Sequence, residues 1–219
     1  MKRKIKFGII GLGHIGTKHA DAIINNKDCE LIAIADKYSL EEIEKKSNKD
    51  LSYLKKYIYY TIVDDIFQNQ DIEVLNICTP NGLHYEMGLS SILNGKHVLI
   101  EKPMTLTSKH ANLLVKNAKK HKKHLFCVMQ NRFSPTILWL KNMINEKRLG
   151  EVFSVHVNCF WNRNNNYYES SDWHGKLDLD GGPLFTQFSH FIDILYWLFG
   201  EFLNINVELS VIVAVLNCM

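Results

Sequence analysis

Gly11, Gly13 and Gly16 stand in G-x-G-x-x-G spacing, Gly11-Leu12-Gly13-His14-Ile15-Gly16, directly after the apolar run 5–10. In that spacing the first glycine permits a tight turn, the second lets the backbone approach a pyrophosphate, and the third allows a helix to pack closely on a strand. The helix that opens at His14 and Ile15 then directs its free amides at the anion. Asp36 follows Gly16 by 20 residues, at the end of the next apolar run. A carboxylate there accepts from a ribose 2′-hydroxyl and repels a 2′-phosphate. The pattern therefore predicts a dinucleotide site that prefers NAD to NADP, with the neighbouring cation of Lys37 as the opposing feature. The histidines and cysteines show no metal-ligand spacing, and no metal is expected.

These residues need a strand before the glycines and a helix after them. Short β-branched runs alternate with helix-period segments through the first half of the chain, as in βαβ units of a parallel sheet. Strands are expected at 5–10, 31–35, 57–61, 74–79, 98–100 and 125–129. Helices are expected from His14, at 40–46, in a turn at 64–67, and at 83–93 and 108–120. After about residue 130 the pattern changes. A helix is expected at 135–148, opened by Pro135 and closed by Gly150. Residues 152–161 alternate as an antiparallel strand would. A polar, aromatic loop spans 162–180, an amphipathic helix 184–199, and an apolar, strand-like tail 205–216.

The 219 residues are 46% hydrophobic and 22% charged, which excludes disorder and supports one large or two smaller domains with a sizeable core. A formal charge of +3 is too small for a nucleic-acid protein. The basic run 116–123 reads as the solvated end of a helix, where cations complement the dipole. The cysteines (Cys29, Cys78, Cys127, Cys159, Cys218) are odd in number and widely spaced, and read as reduced core residues of a cytoplasmic protein. Lys6 interrupts the first apolar run and no small-residue cleavage site follows, so no secretory signal is expected. No run approaches the ~18 apolar residues of a membrane helix.

Three further segments fall in a telling order. Thr79-Pro80-Asn81-Gly82-Leu83-His84 closes the fourth expected strand, Glu101-Lys102-Pro103 closes the fifth, and Gly181-Gly182 precedes His190 and Asp193. With the glycine loop, this series resembles the glucose–fructose oxidoreductase, inositol dehydrogenase and MocA (Gfo/Idh/MocA) family over about residues 4–200. The resemblance implies an α/β chain. A doubly wound Rossmann sheet at 1–130 would be followed at 131–219 by part of an α/β domain with an open, mostly antiparallel sheet for substrate and oligomer contacts. It implies hydride transfer between a sugar-like secondary alcohol and NAD, with Lys102 and His190 as catalytic residues. Thr79, Pro80, Asn81, His84 and Glu101 would line the cofactor cleft, and Lys102–Pro103 is often cis in such enzymes. The residues agree with that chemistry. A neutral histidine or a lysine of lowered pKa can take the hydroxyl proton as hydride leaves.

Many family members carry Asp four residues before the histidine, where this chain has Thr186. Orientation of His190 must then come from another group, and Lys102 becomes the stronger candidate for proton transfer. Gln130 to Phe133, Asn162-Arg163, Tyr167-Tyr168, Trp173-His174-Gly175, Leu179-Asp180-Gly181-Gly182 and Thr186-Gln187 before Ser189-His190 look like the branch that oxidises UDP-N-acetyl-amino sugar uronates at C3 for bacterial surface-polysaccharide synthesis. Arg132 and Arg163 would then meet carboxylate or phosphate, with Lys102, Trp173, Thr186, Gln187 and His190 also lining the substrate. The alternatives are an inositol or free-sugar dehydrogenase and a truncated dinucleotide-binding module without turnover. Family members continue well past the histidine helix. A C-terminally truncated second domain with an apolar, self-associating tail is therefore expected, and a homo-oligomer only where that domain is complete.

Overall fold

The computed structural model describes residues 3–169, 171–204 and 206. Six parallel strands, β1 (Ile5–Ile10), β2 (Cys29–Ala35), β3 (Ile58–Tyr60), β4 (Val74–Ile77), β5 (His97–Ile100) and β6 (Leu125–Cys127), form one sheet in the order β3-β2-β1-β4-β5-β6. The order reverses at β1, which pairs with both β2 and β4. Crevices at such a reversal, past the carboxyl ends of the strands, are where ligands bind in open α/β sheets. The connecting helices are α1 (His14–Ile24), α2 (Leu40–Ser47), α3 (Asp65–Gln68), α4 (His84–Leu93) and α5 (Ser108–Lys120).

Both faces of the sheet are covered, so its central strands are apolar without alternation. Ile9 and Ile10 are adjacent and both fully buried, yet they point to opposite faces. Ile9 joins Leu12, Ala20, Ile34 and Leu54 on one side, and Ile10 joins Ala33, Leu75, Ile77 and Leu114 on the other. Ser39 caps α2 by accepting from the Glu42 amide while the Glu42 carboxylate accepts from the Ser39 amide, a reciprocal box that fixes where the chain leaves Asp36. The basic end of α5 is exposed at Lys119 and Lys120, as expected.

Beyond β6 the chain forms a 3₁₀ turn (Gln130–Phe133), α6 (Pro135–Asn145), α7 (Asn165–Glu169), a π-helical turn (Leu184–Phe188) and α8 (Ser189–Phe199). Several expectations are corrected here. α6 stops short of 148 because Lys147 turns left-handed at φ 56°. The Arg148 amide then donates to the Met143 carbonyl and the Lys147 amide to Ile144, a Schellman closure that leaves Gly150 outside the cap. Residues 152–161 form no strand; they run largely exposed, with Phe153 87% and Phe160 96% accessible. Alternation prepares one face for a sheet, but without a neighbouring strand among the described residues it closes no ladder. Only Cys78 of the four described cysteines is buried, and all four are free thiols. Cys218 and all of the tail at 205–216 except Asn206 lie outside the described residues. No described helix is long and apolar enough to cross a membrane, and no metal-binding cluster of His, Cys, Asp and Glu occurs among them.

Candidate active site

At the carboxyl edge of the sheet, β1 runs into the glycine loop. Gly11 takes φ 90°, and a Cβ on Gly16 would lie 1.9 Å from the Gly11 carbonyl oxygen, so this turn and this helix approach close only with glycine. Gly13 differs, since a Cβ there would meet nothing within 4 Å. It caps α1 without a side-chain partner, no acidic residue follows in the first turn, and Gly13 and His14 are exposed. An open backbone beside an uncapped, positive helix end fits a pyrophosphate. Asp36 closes the cradle: its Oδ2 accepts from the Leu12 amide at 2.7 Å and its Oδ1 from the Tyr38 amide at 3.0 Å. Both oxygens keep lone pairs for a ribose hydroxyl.

Behind the loop lies a network that the sequence did not disclose. His19 on α1 stands with Nε2 2.9 Å from Glu101 Oε1 and Nδ1 3.1 Å from Asn76 Nδ2. Glu101 Oε2 accepts from the Lys102 amide. Glu101 is only 6% exposed and is engaged through both oxygens. Its expected place in the lining of the cofactor cleft is therefore corrected: it joins the glycine-loop helix to the loop that carries Lys102. His84 is corrected in the same way. It is fully buried, with Nδ1 2.7 Å from the Pro103 carbonyl and Nε2 2.9 Å from the Thr79 carbonyl. Burial lowers its pKa against the opposing pull of those carbonyls. It ties the two loops together instead of facing the cleft. The buried Asn81 donates to the Asp180 carbonyl, and the Gly82 amide donates to Leu179, so these residues hold segment 178–182 against the Rossmann half. Thr79 and Pro80 are half-buried at the loop, with Thr79 Oγ1 buried and unpartnered.

Lys102 follows β5, and its peptide bond to Pro103 is cis. Its Nζ donates to the Thr186 carbonyl in the π-helical turn. Burial lowers its pKa, opposed by Glu101 and Asp180. His190, 8% exposed in the first turn of α8, has its pKa lowered by burial and then by the Lys102 charge. Its Nδ1 is buried without a partner. The fold thus brings Lys102 and His190, 88 positions apart, within electrostatic reach of one another.

Next to them a cavity of about 250 Å³ is lined by Tyr167, Tyr168, Gly175, Asp180, Gly182, Pro183, Thr186 and Gln187. Thr186 and Gln187, expected along the substrate, are both in the lining of this cavity. Arg163 stacks between the rings of Trp161 and Tyr167, at 4.6 and 4.4 Å, with its Nε buried and unpartnered. Trp173 sits one step back, 4.2 Å from the His174 ring, which itself stacks on Tyr167. Arg132, expected as a substrate partner, donates through both Nε and Nη2 to the Asp193 carboxylate. This pair fixes α8 one turn beyond His190. Asp180 stands in the Leu179–Gly182 motif but carries no role of its own in the site expected from sequence. It is 4% exposed, its Oδ2 accepts from the Gly175 amide at 2.6 Å, and its Oδ1 is unpartnered. Its position directly before Gly181-Gly182, in a segment already singled out, was the available signal.

A model of an oxidoreductase family with an NAD-binding Rossmann fold, GFO/IDH/MocA, matches residues 5–129, and one of the C-terminal domain of that family matches residues 137–215. Among solved structures, the WlbA dehydrogenase of Chromobacterium violaceum, in complex with NADH and UDP-GlcNAcA, is 34% identical with a TM-score of 0.83, over 91% of this chain and 56% of that one. The WlbA dehydrogenase of Bordetella pertussis, with the same ligands, is 32% identical with a TM-score of 0.83, over 91% and 57%. The NADP-dependent scyllo-inositol 2-dehydrogenase of Bacillus subtilis is 29% identical over 90% of this chain and 52% of its own length. The chain spans about half the length of these relatives.

Proposed function

We propose that this chain, which belongs to the Gfo/Idh/MocA oxidoreductase family and carries its NAD-binding Rossmann fold, serves the NAD-dependent oxidation of a secondary alcohol on a nucleotide-linked sugar uronate. The observation that carries the reading is the half-buried Lys102 amine at the carboxyl end of β5, tethered to the Thr186 carbonyl beside His190. NAD, when bound, supplies the hydride acceptor. A neutral lysine that donates one N–H to Thr186 keeps its lone pair for the substrate hydroxyl proton, and burial favours that neutral form. Burial favours the neutral form of His190 too, and its unpartnered Nδ1 supports a second hydrogen-bonding role toward the reacting oxygen. Asp36 favours a free 2′-hydroxyl on the adenosine ribose.

The uronate reading draws support from Arg163, whose guanidinium stacks on the cavity residue Tyr167 and keeps an unpartnered Nε, a fitting partner for a carboxylate. The two WlbA complexes with UDP-GlcNAcA support it independently. Inositol oxidation is the second reading, favoured by the Bacillus subtilis relative. Thermal unfolding separates them. NAD should raise Tm, and a UDP-hexosaminuronate should raise it further. A further rise with myo-inositol and none with the UDP-sugar would overturn the preferred substrate.

A further inference from the structure

We propose that Asp172 is a cofactor-specificity residue: by pairing with Lys37 it withdraws, from the ribose end of the glycine-loop site, the cation that would otherwise attract a 2′-phosphate. The inference rests on the reading that the glycine loop and Asp36 hold a dinucleotide. Lys37 is the first residue after Asp36, and a cation just past that acid is what accommodates a 2′-phosphate in doubly wound folds. Sequence alone therefore left Lys37 as the feature opposing NAD preference. The fold answers it with a residue 135 positions away: Lys37 Nζ donates to Asp172 Oδ2 at 3.1 Å. The Tyr38 hydroxyl donates to the same oxygen at 3.4 Å. Lys37 Nζ also lies 4.8 Å from the centre of the Tyr38 ring, so ring and carboxylate together hold the ammonium.

The hydrogen bond to Asp172 raises the Lys37 pKa, and the same bond lowers that of Asp172. Both partners are therefore charged at neutral pH, and the pair is electrically closed. Both side chains are more than half exposed, and such pairs stabilise folds little. A purely structural purpose is thus poorly served by this contact. An anionic ligand arriving at Lys37 must instead compete with a carboxylate already there. Asp172 lies in segment 162–180, which also supplies Tyr167, Tyr168, Gly175 and Asp180 to the neighbouring cavity, so the segment beside the cavity also sets the charge seen by the ribose.

Asp172→Asn keeps the size of the side chain and an oxygen for Tyr38 but removes the charge. Dissociation constants for NAD and NADP, measured by calorimetry at low salt on the full chain, should show NADP binding about threefold or more tighter in the variant, with NAD unchanged within about twofold. Adding Lys37→Met to Asp172→Asn should abolish the gain. An unchanged ratio of the two constants would overturn the proposal. So would equal weakening of both cofactors, which would mark Asp172 as a loop fastener only. So too would a gain that survives Lys37→Met. Failure of the unaltered chain to bind either cofactor is a different result, and would overturn the dinucleotide reading beneath it.

Discussion

Two alanine substitutions three residues apart should separate folding from cofactor binding. At Gly16 a Cβ would stand 1.9 Å from the Gly11 carbonyl oxygen and 3.0 Å from its carbon. The neighbour is backbone, so the helix and the turn must move apart by more than an ångström. Overpacking of this kind costs about 1–3 kcal/mol, several degrees of Tm at ~2–4 °C per kcal/mol for a chain of this size. At Gly13 the Cβ meets no protein atom within 4 Å, and its φ of −68° suits any residue. The weaker capping by alanine is offset by its smaller chain entropy in the unfolded state, so Gly13→Ala should change stability by less than about 1 kcal/mol. The same methyl occupies the open approach to the backbone that a pyrophosphate needs. NAD affinity should fall about tenfold or more, equal to ~1.4 kcal/mol. Calorimetric titration with NAD alongside thermal unfolding reads both quantities. A Gly13→Ala variant with native Tm and undiminished NAD affinity would refute the placement of the pyrophosphate.

Lys102→Met should lower turnover about a hundredfold or more, the range for loss of a proton-transfer group, with NAD affinity nearly intact; His190→Ala should cost less, and the reverse order measured by NADH formation would exchange their roles. Because proton acceptance needs the neutral amine, kcat/KM for alcohol oxidation should rise with pH through an inflection below the ordinary lysine range, and Lys102→Met should remove that limb from the pH profile. Neutral His84 has one N–H to give to the Thr79 or the Pro103 carbonyl, so His84→Ala strands one buried carbonyl and should lower stability by about 1–3 kcal/mol, read by chemical denaturation.

The Rossmann half was legible because its signals are local. Apolar runs covered on both faces mark β1, β2 and β4, and the glycine spacing marks the turn between β1 and α1. Strand ends were less so: β2 begins at Cys29 rather than Leu31 because main-chain pairing with β1 extends past the apolar residues, through Glu30 opposite Lys6. Segment 152–161 shows the opposite failure, a strand pattern that pairs with no strand among the described residues. The polar contacts were hidden for a different reason. His19 and Glu101 are 82 positions apart, Arg132 and Asp193 61, and Lys37 and Asp172 135, and no periodicity links residues that meet only through tertiary structure. The charge of Arg132 was visible in the sequence and its pairing with Asp193 was not. Glu101 and His84 stood in the right motifs, but their burial assigns them to holding loops together.

The central claim, oxidation of a nucleotide-linked sugar uronate at Lys102, is tested most directly by NADH formation. The chain would be mixed with NAD and either UDP-N-acetylglucosaminuronate or myo-inositol, and absorbance of the reduced cofactor followed with Lys102→Met in parallel. The account predicts NADH with the UDP-uronate, little with inositol, and its loss in the variant. NADH formed with inositol but not with the UDP-uronate, or formed equally well by Lys102→Met, would contradict it.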